Sequence, residues 1–533
     1  MSLRNYANPD NQATNRSGGL VHVASDDDRF IRALTIGADM GTFYVDQESL
    51  SVQTIDFLKD YISKNPQKSV ETIREVSSTG RAAKNSHSVF ALAVAFSLND
   101  PKTTQYAKDA FLDVVRTTFD LTEFLASLKA LGAGMGRAKK NSIASWYESR
   151  DSDQLAYQVS KYRQRGGYSH RDMLRISHPE VKDENLVNFI LSLGGAEKDY
   201  EKDMLPQVAQ NYLEVSSVDN ETEAVSIIQN SSGRFAWEFL DTSLLNSPHV
   251  WKALLEGNHV GYIALLRNLS RLYKIGLLDK GSDTLSIVKN KLVSEKDITS
   301  SRVHPMHILN AMYLLAQKVN GIRDYYFNLG VTSSLKTPVS DELNKALVIS
   351  YSNIKPTGKK ISLAVDVSAS MNHNMIRWDF SQFRKGASPR QVSAMLASLL
   401  LHNEESGNVD VYAFSDSLTA LDVDKNTTVS QFVSLTDKLP FSFTNAALQI
   451  EKAVEDREVY DAFITITDNE TQFEVDNILA QYRKDVNPDA KLVVISVTGD
   501  KFSVNDPHDL NGLDVCGADA ASLNYVTDFI AGR

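Results

Sequence analysis

Asp366, Ser368 and Ser370 stand at i, i+2 and i+4 in LAVDVSASM, residues 363–371, directly after a run of apolar, strand-forming residues. A hard cation such as Mg2+ takes oxygen ligands, few of them charged, and usually keeps some of its water. The spacing aims three short oxygen-bearing side chains at one point. Two later segments supply what such a site still needs, Thr444 in SFTNAA and Asp468 in TITDNE. Taken singly, Asp, Ser and Thr are also ordinary turn and capping residues; their joint appearance at predicted strand and loop ends is what argues for a site. No general base, and no nucleophile with an activating partner, accompanies them. The pattern therefore reads as a binding device for Mg2+ or another divalent cation. A nuclease built on Asp366 and Asp468 is the weaker alternative, because two-metal hydrolysis wants paired carboxylates and this set is rich in hydroxyls.

A different chemistry is offered by KYRQRGGYSHRDMLRISHPE, residues 161–180. Between Lys161 and Arg175 stand five basic residues, Lys161, Arg163, Arg165, Arg171 and Arg175, against Asp172 alone. His170 and His178 lie beside them, with Tyr162 and Tyr168 interleaved. Lys and Arg neutralise phosphates, and aromatic rings offer stacking surfaces to unpaired bases. Arg137, Lys139 and Lys140 form a second basic group in GAGMGRAKKNSIASWY, residues 132–147. Its glycines look like a phosphate loop only superficially, since no strand precedes them and the GKS/T ending is missing. A solvated helix surface is the plain alternative for both groups. The two histidines, without cysteines or a carboxylate pair, are a poor zinc pattern.

Two kinds of element must hold these residues. From about residue 48 to residue 350 apolar residues recur at three- and four-residue spacings, as in TTQYAKDAFLDVVRTTF (103–119) and LTEFLASLKALG (121–132). This predicts a long succession of amphipathic helices; a superhelix of stacked helix pairs and an irregular helical domain both fit it. After IKPTGKK (354–360) the character changes to apolar, β-branched segments, ISLAVDV (361–367), VDVYAF (409–414), YDAFITITD (460–468) and AKLVVISVT (490–498). Helical stretches, VSAMLASLLLH (392–402) and NAALQIEKAVED (445–456), lie between them. Buried strands alternating with helices predict a mostly parallel sheet covered on both faces, with ligands at the C-terminal strand ends. That is where Asp366 falls.

The charge balance divides in the same place. The whole chain of 533 residues carries a net charge of −11, but from residue 361 onward 13 Lys and Arg stand against 26 Asp and Glu. The earlier residues carry 43 against 41, leaving them free to form a local basic face. A single cysteine, Cys516, excludes an intrachain disulfide framework and a cysteine-based zinc cluster, and it fits a reducing compartment. The start of the chain has no apolar core like a signal peptide's, and HSVFALAVAFSL (87–98) is too short to span a bilayer. The expected location is the cytoplasm, with no membrane partner.

Two resemblances sharpen this reading. DVSASM with FTN and TDNE resembles the metal-ion-dependent adhesion site of von Willebrand factor A domains. That implies ligand roles for Asp366, Ser368, Ser370, Thr444 and Asp468, some through water, and an open position for an acidic group of a protein partner. Ala369 replaces the glycine of many members, and Asn445 stands where related proteins often carry aspartate, which weakens the local negative field. The second resemblance runs over roughly residues 20–533: KYRQRGGYSHRDMLRISHP, preceded by DQLAYQVS and followed by VWKALL, ALLRNLS, RVHPMHIL and IKPTGKKISLAVDVSASM, resembles the Ro autoantigen family of TROVE-module proteins.

The family resemblance implies a multidomain α and α/β protein: a ring-like α-helical module of HEAT-like repeats, closed by a doubly wound von Willebrand A-type domain, with a basic central hole. The expected division is an N-terminal arm 1–20, a helical RNA-binding module 21–355 and an A-like domain 356–533. It implies further that Y-type small noncoding RNA binds a basic outer surface and that single-stranded 3′ ends of misfolded or decaying RNA enter the hole. The family's RNA-contacting positions fall on Lys161, Arg165 and His178. Arg137, Lys139 and Lys140 follow more loosely, because the glycine-rich stretch differs in aromatic content; Arg171 and Arg175 complete the basic stripe. Tyr168 stands where tryptophan is common. The expected function is non-catalytic RNA binding in quality control or stabilisation, with an exoribonuclease considered as a further partner. The alternative is an interaction scaffold that binds an acidic protein ligand through the A domain.

Overall fold

The computed structural model of the chain describes residues 12–14, 20–23, 25–36, 47–79, 85–162, 164–165, 167–303, 305–320, 336–373, 388–440, 442–498, 502–506, 509–516 and 520–532. Two compact units emerge, one from residues 58–78 and 84–297, the other from residues 1–57, 79–83 and 298–533. Compactness thus follows a different line from the expected boundary at 356, which marks where helix gives way to sheet.

The first unit is helical. The helix Asn85–Ser97 is apolar all round, with Val89, Leu92, Val94 and Phe96 among its buried residues, so it must be central. It packs against both Pro101–Val114 and Thr118–Ala130. Phe96, Phe111 and Phe124 meet edge to face there, with centroids 5.1 to 6.2 Å apart. The periodic stretch 103–119 is not one helix. It breaks after Val114 because Thr117 caps a new one: its hydroxyl accepts from Asp120 N, and the Asp120 carboxylate accepts from Thr117 N at 2.8 Å. Asn85 pins the junction by donating to Val114 O and Asp120 Oδ1, both at 2.8 Å. Among the described residues no helix is long and apolar enough to cross a membrane.

Within this unit the basic segment folds in three pieces. Lys161 ends the helix Ser152–Lys161. A two-residue hairpin follows, β3 (Gln164–Arg165) against β4 (Tyr168–Ser169), with Gly167 at φ +80 in its turn. The helix His170–Ser177 then starts on a capping box from Ser169 and Asp172.

The second unit carries the sheet. Its six strands are β5 (Ile361–Asp366), β6 (Val409–Phe414), β7 (Leu418–Ala420), β8 (Ala462–Thr467), β9 (Lys491–Ser496) and β11 (Gly512–Cys516), in the order β11-β9-β8-β5-β6-β7. All neighbours are parallel except β6 and β7. Ala364, Thr465 and Val494 share a row, as do Leu363, Ile464 and Val493, so alternate rows face opposite sides. The chain enters at β5, steps to β6, and returns across β5 to β8 and β9. The reversal lies between β5 and β8, where an open α/β sheet leaves a crevice at its C-terminal strand ends. The Pro-Thr-Gly boundary has its own anchor: the buried Glu404 carboxylate accepts from Thr357 N at 2.8 Å and Gly358 N at 3.2 Å, with Gly358 at φ +66.

The expected N-terminal arm is in part a strand. β1 (Gln12–Thr14) pairs antiparallel with β2 (Leu20–Val23), and β2 with β10 (Phe502–Ser503), tying opposite ends of the chain together. The remainder of residues 1–19 lies outside the described residues.

Candidate cation and nucleic-acid sites

At the sheet's switch point Asp366 is 0% exposed. Its Oδ1 accepts from Ser368 N at 2.8 Å and its Oδ2 from Thr467 Oγ1 at 2.6 Å. The hydroxyls of Ser368 and Ser370 are 3.1 Å apart. Asp468, also buried, accepts from Glu470 N at 3.1 Å, and its charge acts on Asp366. Thr444, also buried, is tied to the loop that follows Asp468: its carbonyl accepts from Gln472 N at 2.9 Å and Thr471 Oγ1 at 3.2 Å. Asn445 spends its side-chain oxygen on Ala447 N at 3.0 Å, a capping use that needs no negative charge.

Burial first, and then the Asp468 carboxylate, push the Asp366 pKa up to about 7. Asp366 and Asp468, with the Ser368 and Ser370 hydroxyls 3.1 Å apart, are the kind of oxygen donor set that a hard divalent cation would fit, and such an ion would hold both acids ionised. Among the described residues no group of three or more His, Cys, Asp or Glu gathers around one point, so any cation held here relies on hydroxyls and water for its other ligands. Thr467, which donates to Asp366, was missed from sequence, where it is one more residue inside the predicted strand 460–468; the structure ends β8 on it, directly before Asp468.

The basic segment proves heterogeneous. The Lys161 ammonium lies 3.3 Å from Glu238 and donates to Tyr157 OH at 3.2 Å, with the Tyr157 and Tyr162 ring centroids each 5.3 Å away. Burial pulls its pKa down, but Glu238 and the tyrosines more than offset this and hold it above the ordinary lysine value. Arg165 is placed as a backbone position opposite Tyr168; its side chain lies outside the described residues, as does Arg163. His178 caps its helix in the left-handed region, φ 49 and ψ 57, and is exposed. Arg137 and Arg175 are exposed and Lys140 is half-buried.

Two residues expected at an RNA surface are turned inward. Lys139 is 4% exposed and donates to Gly134 O at 2.9 Å, and burial lowers its pKa. Arg171 donates to Gly194 O at 2.7 Å, closing the C-terminus of the helix Glu184–Leu193, and packs so tightly that a Cβ on Gly194 would lie 2.5 Å from its own. The sequence shows their charge but not their direction. His170 is likewise a core residue: burial drops its pKa to about 3, and Nδ1 lies 2.8 Å from Tyr147 OH. A cationic and aromatic cavity lined by Arg150 and Arg234 had no sequence signal, because these residues come from distant segments.

Comparison with known proteins covers both units. The model of the TROVE domain matches residues 13–220 and 233–369, and that of the Ro60 vWA domain matches residues 360–530. RNA-binding protein RO60 of Deinococcus radiodurans is 30% identical over 98% of this chain and 96% of its own. RNA-binding protein RO60 of Caenorhabditis elegans is 27% identical over 98% of this chain and 91% of its own. The crystal structure of the Deinococcus radiodurans RO (RSR) protein superposes with a TM-score of 0.73 and 28% identity, covering 95% of this chain and 100% of that one. With its helical TROVE unit, its A-type sheet and this similarity along almost its whole length, the chain belongs to the Ro autoantigen family.

Proposed function

We propose that this protein binds RNA without catalysing its cleavage, taking Y-type small noncoding RNA on a basic outer surface and single-stranded 3′ ends of misfolded or decaying RNA in a central hole. The observation that carries the reading is near full-length similarity to two relatives named as RNA-binding proteins. Arg137, Arg175 and His178 are the exposed groups that suit phosphate and base contact, with Lys161 and Arg165 nearby in the chain. Asp366, Ser368, Ser370, Thr444 and Asp468 would hold Mg2+ or a similar cation with one position open to an acidic protein ligand. An exoribonuclease is a further partner to test, and the cytoplasm is the proposed location. A scaffold role draws support from Phe443 and Phe473, 64% and 48% exposed, which lie in the same two loops as Thr444 and Thr471.

The test is fluorescence anisotropy across a salt series, with a hairpin RNA bearing an unpaired 3′ tail and a blunt duplex. The tailed probe should bind more tightly to the wild-type protein. Removing one phosphate-neutralising side chain should lower the salt slope of log K by about 0.7 for a single strand, so Arg137→Ala plus Arg175→Ala should lower it by about 1.4. No binding of either probe at low salt would overturn the reading. An unchanged slope in the double variant would remove these two arginines from the surface.

A further inference from the structure

Beside the helix Ser152–Lys161 lies a cavity of about 450 Å3 lined by Arg150, Gln154, Tyr157, Gln158, Arg234 and Phe235. All six belong to the helical unit. Arg150 is set rigidly: Nη2 donates to Arg116 O at 2.6 Å, Nη1 to Trp146 O and to Ser149 Oγ at 3.3 Å, and the guanidinium lies 3.7 Å from the Trp146 ring centroid. Burial lowers its pKa to about 10, so it remains a cation at neutral pH. Arg234 is more open, with its guanidinium 5.2 Å from the Tyr157 ring centroid and 4.0 Å from Asp153. Gln158 Oε1 accepts from Thr118 N at 3.3 Å and Thr118 Oγ1 at 3.2 Å, which fixes the amide and leaves its NH2 to donate. Gln154, exposed, stands one turn earlier on the same helix face.

Three chemistries meet here. Guanidinium groups recognise phosphate by charge and by their planar donor fork. The half-buried Tyr157 ring offers flat apolar surface on which any base can stack, while Phe235, 6% exposed and packed against Phe239 and His259, lines the wall beside it. The exposed Gln154 amide can both donate and accept, and the Gln158 NH2 donates, as base edges require. A simple anion would leave the Tyr157 ring unused, and an apolar ligand would bury the arginines without a partner; a nucleotide engages all of them, and the volume suits one. The Tyr157 ring and hydroxyl also contact the Lys161 ammonium, so the cavity continues the basic segment.

We propose that this cavity receives one unpaired nucleotide of a bound RNA, with its base against Tyr157, its phosphate on Arg234 and Arg150, and its base edge read by Gln154 and Gln158. The proposal rests on the RNA-binding function above and adds a residue-level reading pocket to it.

The test uses the full-length protein and a fluorescent hairpin RNA with an unpaired 3′ tail of about ten nucleotides, each tail base removed in turn to leave an abasic site. The wild-type protein should lose roughly ten-fold in affinity at one or two adjacent positions, the size expected for the loss of one stacked base. In Tyr157→Leu that dip should flatten to less than about two-fold, and Arg234→Ala should weaken every probe and lower the salt slope by about 0.7. Because Tyr157 also contacts Lys161, Gln154→Ala provides a second variant on an exposed side chain; it should at least halve the preference among the four bases at the dip position. A flat abasic profile in the wild-type protein, or a dip unaltered in all three variants, would overturn the pocket while leaving RNA binding in place. Absence of tailed-RNA binding by the wild-type protein would overturn both.

Discussion

If the proposed site takes a cation, the buried acid Asp366 should record it in the pH dependence of stability. Without one, its folded pKa is raised from 3.8 to about 7, by burial first and by Asp468 second. An acid with a raised folded pKa gives stability that is fully present below the unfolded value and is lost as pH rises through the folded one. In EDTA the thermal midpoint should therefore fall between about pH 4 and pH 7 through this group, and saturating Mg2+ should restore most of the loss. Asp366→Asn should flatten the EDTA profile and abolish the Mg2+ response, while tailed-RNA affinity stays within two-fold of wild type. Scanning fluorimetry over pH, with and without Mg2+, reads all of this. A midpoint in Asp366→Asn that still rises with Mg2+ would remove Asp366 from the site.

At the scale of elements, neighbouring arginines on one helix have opposite uses. The helix His170–Ser177 is short, so its position depends on contacts at its flanks, and Arg171 supplies one by joining it to Gly194 O at 2.7 Å. Arg175, a turn later, is exposed. Arg171→Ala leaves that carbonyl without its cation and opens the space above Gly194, so it should cost about 1–3 kcal/mol in urea unfolding. Arg175→Ala should cost less than about 0.5 kcal/mol but weaken RNA binding. If Arg171→Ala keeps full stability and loses RNA affinity instead, Arg171 belongs to the binding surface after all. The helix break at Thr117 carries the same lesson, since a capping box overrode an apolar period that ran on without interruption.

Across the whole molecule, a link between segments far apart in the chain joins β2 to the A-type domain. His22 is 1% exposed and its Nε2 bonds the Asp476 carboxylate, with Asp506 and Asp514 adding their negative field. Burial alone would lower the His22 pKa, but these acids outweigh it and raise it above 6.5. A histidine with a raised folded pKa gives stability that is fully present below pH 6.5 and is lost as pH rises through the raised value. His22→Asn should therefore be much less stable than wild type at pH 6, and the gap should narrow steadily toward pH 9 in chemical unfolding. A gap of constant size would show that His22 contributes by packing alone. Removing residues 1–24 should likewise destabilise the protein, because β10 loses its partner strand and Asp476 its buried histidine partner.

The kinds of element, the change from helix to parallel sheet near 356, and the placement of Asp366 and Asp468 at strand ends were all legible in the chain, because periodicity and strand termini are local properties. The family was legible too, through the order of its motifs. The direction of each basic side chain was not. Lys139, Lys161 and Arg171 are spent on Gly134, Glu238 and Gly194, partners that lie five, 77 and 23 residues away in the chain. Nor did any local pattern mark the Arg150 and Arg234 cavity, the Thr467 bond to Asp366, or the union of β2 with β10. Each depends on which distant segments pack together, and a charge or hydroxyl becomes a ligand, a clamp or a reader only once that packing has chosen its neighbours.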